Sequence, residues 1–152
     1  MRRGQARGRP PLAEDGNQSA ARHGNTHPGT PEPHPTAAPW PAYDVEDYSY
    51  TLRTTCFCAD GGVPVTVTVR DGKVTDAVYA RTGYGHAAGA NASAWMRVTI
   101  NDVIDAANTT DAYRVEVRWP AGQPYPTAVW VDHAKNAIDE EIGYTIRNVT
   151  PA

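Results

Sequence analysis

Residues 48–79 read YSYTLRTTCFCADGGVPVTVTVRDGKVTDAVY, and the alternation within them decides the fold. Tyr48, Tyr50, Leu52, Thr54, Cys56 and Cys58 have one parity, while Ser49, Thr51, Arg53, Thr55 and Phe57 have the other. Side chains two apart share a face of an extended chain, so the stretch predicts a long first strand over residues 48–58. Gly61-Gly62 turns the chain. Val63, Val65, Val67 and Val69 then alternate with Pro64, Thr66, Thr68 and Arg70, the pattern of a half-buried second strand in which Pro64 fits near the start or on an edge. Asp71-Gly72 is a strong hairpin signal, because both central residues of a type I′ turn need positive φ. A third strand is expected over residues 73–79.

Downstream, residues 81–96 are rich in Gly, Ala and Asn, with Tyr84, His86 and Trp95 dispersed among them. A loop of that length inside a compact domain is usually functional or mobile. A helix is expected next: Thr99 can cap the first turn, Asp102 suits the positive end of the helix dipole, and Ile100, Val103, Ile104 and Ala107 recur at helical spacing. Tyr113, Val115, Val117 and Trp119 alternate with Arg114, Glu116 and Arg118 as a fourth strand, residues 120–126 turn, and further strands are expected over residues 127–131 and 144–149. The predicted fold class is therefore α+β: an antiparallel sheet of about six strands with one main helix between strands 3 and 4, in the order β-β-β-α-β-β-β.

Upstream, the segment ending at Pro41 holds eight of the chain's 13 prolines, and its only large apolar side chains are Met1, Leu12 and Trp40. It cannot bury enough apolar surface to offset the entropy of ordering, so residues 1–39 are read as a disordered tail and residues 40–152 as a single α+β domain. Within 152 residues there is room for little else. Arg2, Arg3, Arg7, Arg9 and Arg22 face Glu14, Asp15 and Glu32 in the tail, which leaves the domain net negative within a total of −3. Neither part is basic enough to suggest nucleic acid. No apolar run reaches the length of a signal-peptide core or a membrane span, so no export signal is expected in the sequence as written and a cytoplasmic location stays open. A Pro/Gly/His-rich lead-in is nevertheless the kind of segment that follows an anchor or export signal.

Cys56 and Cys58, the only cysteines, carry the one chemically suggestive spacing. In a regular strand their Cα atoms would lie about 6.5 Å apart, near the upper limit for a disulfide, so a bridge requires a bend that Gly61-Gly62 could supply. Packing as two small core residues is the alternative. A metal site would need more donors, with His86 and His133 the candidates to join Cys56 and Cys58, although isolated histidines are more often exposed and inert. A catalytic thiol would need a base such as His133 and an orienting acid such as Asp132 or Asp139, and no local signature of a cysteine enzyme accompanies them. Asp132, Asp139, Glu140 and Glu141 group around the last connection, where a solvated acidic turn is favoured over a calcium loop because the EF-hand alternation is absent. Tyr48, Tyr50, Trp119, Trp130 and Tyr144 are first of all core candidates; should the sheet face opposite the helix be bare, Phe57 and one face of the fifth strand would form a patch suited to a partner or ligand.

The ordered set of Tyr48 and Tyr50, Cys56-Phe57-Cys58, Val67 to Val74, Thr99 to Asp102, Tyr125-Pro126 and Asp139-Glu140-Glu141 resembles a family of small uncharacterised bacterial proteins, often exported or lipid-anchored. Pro124 stands where that pattern has glycine. The resemblance spans nearly all of residues 43–150 and implies a cell-envelope or secreted location and no particular activity. The reading that follows is a non-enzymatic envelope or secreted module for an unidentified protein or small ligand, a monomer without cofactor. A cysteine-centred redox or metal-handling protein is the alternative.

Overall fold

The computed structural model describes residues 38–137 and 139–152; the tail expected over residues 1–39 lies outside them up to position 37. Strands β1 (Tyr48–Cys56), β2 (Pro64–Arg70) and β3 (Lys73–Tyr79) precede a short 3₁₀ turn (Ala94–Met96) and helix α1 (Ile100–Ala107), and β4 (Arg114–Arg118), β5 (Ala128–Asp132) and β6 (Glu141–Pro151) follow. They form a six-stranded sheet in the order β3-β2-β1-β6-β5-β4, antiparallel throughout. The fold is thus two three-stranded meanders joined along β1 and β6, with α1 carrying the chain from one edge to the other.

The valines and tyrosines of the opening stretch build the core as their parity predicts. Tyr48, Tyr50, Leu52, Val65, Val67 and Val69 are buried on the side of the sheet that carries α1, together with Val129, Val131 and Ile146 from the second meander. From the helix, Ile100, Val103, Ile104 and Ala107 face them. The N-terminus of α1 is fixed twice over. Thr99 and Asp102 make a reciprocal capping box, Asp102 N donating to Thr99 Oγ1 at 3.0 Å and Thr99 N to Asp102 Oδ2 at 2.7 Å. Below it, Ile100 N donates to the Tyr48 hydroxyl at 2.9 Å, and the Tyr50 hydroxyl donates to Val98 O at 2.5 Å. Burial pushes the Tyr50 phenol well above its ordinary value, so it stays a neutral donor.

Asn101 on α1 and Asn108, its C-cap, tie down the segment that leads into β1. The Asn101 side chain exchanges hydrogen bonds with Tyr43 N and O at 2.8 and 3.0 Å, and Asn108 does the same with Trp40 at 2.6 and 2.9 Å. Trp40 stacks on Trp119 with centroids 5.5 Å apart. The β2–β3 turn has the predicted left-handed residues, Asp71 at φ 49° and Gly72 at φ 70°.

Several predicted boundaries move. The first strand stops at Cys56 because the chain bends there, so Cys58 lies outside the sheet. Tyr113 is left out of β4 and is 55% exposed, since pairing with β5 begins at Arg114 opposite Asp132. The fifth strand is shifted by one residue. Glu141 belongs to β6, paired with Asp132, and is a strand residue rather than part of a turn.

The Gly/Ala/Asn-rich loop turns back along β3. Tyr79 N donates to Ala90 O, Gly89 N to Tyr79 O and Ala92 N to Ala77 O, each at 2.9 Å. It thereby covers the amide and carbonyl groups of part of an edge strand, which would otherwise offer a template for pairing with another chain.

Candidate functional site

Three features outside the core gather chemistry-bearing side chains. The first is the turn after β1. Gly62 N donates to Thr54 O at 2.7 Å and Gly61 N to Cys58 O at 3.1 Å, which folds residues 57–62 back onto the end of the strand. A Cβ at Gly61 would sit 2.7 Å from Cys56 O, so the close approach demands glycine. The bend brings the Cα atoms of Cys56 and Cys58 to 5.2 Å and their sulfurs to disulfide distance. Cys56 is half-buried and Cys58 exposed, so the two are not packed in the core. Phe57 between them is 84% exposed and borders a shallow depression with Asn136, Ala137 and Asp139.

The second feature is a polar knot centred on Asp60. Its Oδ1 lies 2.7 Å from His86 Nε2, and its Oδ2 accepts from the hydroxyls of Ser93 at 2.6 Å and Tyr79 at 3.1 Å. The His86 ring stacks on Tyr79 with centroids 4.0 Å apart. These hydrogen bonds, from Ser93 first and then His86, hold the Asp60 carboxyl below its usual value, so it is an anion over the whole neutral range. This is no nucleophile–base pair. The acceptor of the Ser93 proton is a carboxylate of lowered basicity rather than an imidazole, and the arrangement fastens the Gly-rich loop to the cysteine turn. Sequence separations of 26 and 33 residues hid it; the signals were Asp60 two residues after Cys58, and His86 and Ser93 set among the small residues of the Gly/Ala/Asn-rich loop.

The candidate ligands expected with the cysteines are therefore dispersed. His86 is engaged by Asp60, and His133 is exposed just after β5. Among the described residues no three His, Cys, Asp or Glu side chains converge in an arrangement that could hold a metal ion. Asp132 is buried, its Oδ1 accepting from Ala134 N at 3.1 Å instead of orienting His133. Asp139 and Glu140 are exposed in the β5–β6 connection, and Glu141 is half-buried at the start of β6.

The third feature is the sheet face opposite α1, which no described element covers. Strand pairing places Pro64, Arg53, Thr145, Ala128 and Arg118 in one row across five strands, with Thr66, Thr51 and Arg147 in the next row. Two depressions flank the small residues in the middle. One, of about 280 Å³, is lined by Thr51, Arg53, Pro64, Arg81, Thr145 and Arg147; the other, of about 440 Å³, by Arg114, Glu116, Val117, Arg118, Ala128 and Trp130. Arg114 is paired with Glu116, whereas Arg53, Arg81, Arg118 and Arg147 have no acidic partner among the described residues. Asp76, Asp132 and Glu141 share this face by register but do not line either depression.

A family model spans residues 33–151, the sheet, the helix and both depressions included. The chain belongs to DUF6174, a family of unknown function. Comparison with curated proteins and with solved structures finds no match. Of the aromatic side chains singled out in the sequence, Tyr48, Tyr50 and Trp119 are core, Tyr144 is half-buried on the core side of β6, and Trp130 faces the open side. No helix among the described residues is long and apolar enough to cross a membrane.

Proposed function

We propose that this member of DUF6174 is a non-enzymatic binding module that works in the cell envelope or outside the cell, and that the open face of its sheet is the binding surface. The observation that carries the reading is the contrast between the two faces. One is sealed by α1 and the lead-in segment; the other is left bare and studded with arginines and threonines. A solvent-facing sheet surface needs only polar side chains, and two depressions that gather four arginines without an acidic partner among the described residues go beyond that need. The cysteine pair supports the location, because a bridge between Cys56 and Cys58 persists in an oxidising compartment and is rare in the cytosol.

A redox role for the pair is the second reading, and the exposure of Cys58 and Phe57 favours it. Equilibrating the full chain in thiol buffers from about −180 to −320 mV, with intact mass and thiol labelling as readouts, separates the two. A structural bridge stays closed until the reducing end and forms no lasting mixed disulfide. Opening near −200 mV with accumulation of a mixed disulfide would replace the binding reading with the redox one.

A further inference from the structure

We propose that the open face takes a phosphorylated saccharide, with the phosphate in the Arg53–Arg81–Arg147 depression and the sugar ring against Trp130. The inference rests on the binding-module reading and names its ligand class. Of nine basic side chains in residues 40–152, five line the two depressions, whereas of fourteen acidic ones only Glu116 does. Converging cations on a domain that is net negative repel one another, and an oxyanion relieves that repulsion.

The smaller depression is built for such a group. Arg53 donates from Nε to Gly62 O at 2.6 Å, which fixes the stem and leaves its terminal nitrogens without a partner among the described residues. Arg81 and Arg147 complete three guanidinium forks, Thr51 and Thr145 add hydroxyl donors, and no carboxylate intervenes. Phosphate presents several acceptor oxygens that match forks and hydroxyls together.

The larger depression has a different character. Trp130 lies opposite Gly143, where its Cδ1 is 3.2 Å from the place a Cβ would occupy, so the indole edge rests over the glycine of the neighbouring strand. An aromatic platform beside Glu116 and Arg118 suits a neutral ring with an apolar face and hydroxyls at its rim. A second anionic group there would be set against Glu116. The two depressions meet at Thr145 and Ala128, which are paired neighbours; Trp130 is up to two strand spacings across and two residues along from Arg53, roughly 12 Å between backbones, which a phosphate and one attached pyranose span together with the length of the arginine side chain.

The test is an NMR titration of the full chain with glucose 1-phosphate, N-acetylglucosamine 1-phosphate, glucose and inorganic phosphate, at about 0.05 and 0.3 M salt. At least one sugar phosphate is expected to shift the Thr145 and Arg147 amides together with the Trp130 indole, and to bind at least about tenfold more tightly than phosphate alone. Arg81→Ala combined with Arg147→Ala should weaken it about tenfold or more. Trp130→Phe should keep the phosphate response and reduce the advantage of the sugar, with thermal melts confirming that both variants are folded. Equal affinity for phosphate and both sugar phosphates, or binding unchanged in the arginine variant, overturns the proposal while leaving a responsive open face. Silence of the open face toward all four probes overturns it too, and if the cysteine pair also opens near −200 mV the binding-module reading fails with it.

Discussion

Thr54 shows how finely the core side of β1 is set. It is 2% exposed and its hydroxyl has no hydrogen-bond partner among the described residues, although a buried polar group without one costs roughly 1–3 kcal/mol. Thr54→Val keeps the shape and removes the unsatisfied oxygen, so it is expected to stabilise the domain by about 1 kcal/mol in urea unfolding; a loss of stability would mean that the hydroxyl has a partner. Asp60 is the opposite case, a carboxylate satisfied three times over. Its folded-state proton affinity is lowered, so the stability it contributes is complete above the ordinary carboxylate range and disappears as pH falls through the lower, folded-state value. Acidification below about pH 4 is thus expected to loosen the segment that carries His86 and Ser93 before the sheet melts. Amide exchange of Ala90 and Ala92, whose hydrogen bonds hold that segment to β3, followed against pH in the wild type and in Asp60→Asn, checks it. In the variant protection should be reduced at neutral pH and vary little on acidification.

At the scale of elements, α1 depends on its first turn more than on its length. Eight residues are too few for a helix that stands by propensity alone, so the capping box and the two tyrosine hydroxyls from β1 have to hold the end in place. Thr99→Ala is expected to cost about 1 kcal/mol of unfolding free energy, and Thr99→Ser to restore most of it. The cap, the helical spacing and the hairpin at Asp71-Gly72 were legible in the sequence because each is written in residues a few positions apart. So was the parity of β1 and β2, where polar and apolar side chains alternate with Thr54 and Pro64 as the exceptions. The end of β1 was not legible, since Cys58 continues the alternation of Tyr48 to Cys56 and only the close approach of Gly61 to the Cys56 carbonyl marks the bend. The Asp60 knot and the arginine rows were hidden for a related reason: Arg53, Arg118 and Arg147 become neighbours only through strand register, and no local pattern announces a register between strands almost a hundred residues apart.

For the whole molecule, the decisive junction is the ladder between β1 and β6. Each meander alone would leave an apolar face with too little to bury it, and α1 sits between them in sequence, so neither half carries a complete core. Leu52 and Ile146 face one another across that junction and are each 1% exposed. Truncating either to Ala removes packing shared by both halves and is expected to cost about 2–5 kcal/mol. Because the two side chains are neighbours across one ladder, the double variant should lose less than the sum of the single losses. Both variants, and the wild type, should unfold in one step, with far-UV circular dichroism and tryptophan fluorescence tracing the same urea curve. Trp119 and Trp130 report on the second meander and Trp40 stacks on Trp119, so with Trp95→Phe as the common background fluorescence reads that half, whereas circular dichroism reads all six strands and the helix. If the curves separated, with fluorescence lost first, the second meander would be unfolding from a stable first one, and the β1–β6 junction would be a contact between two independent units instead of the seam of a single core.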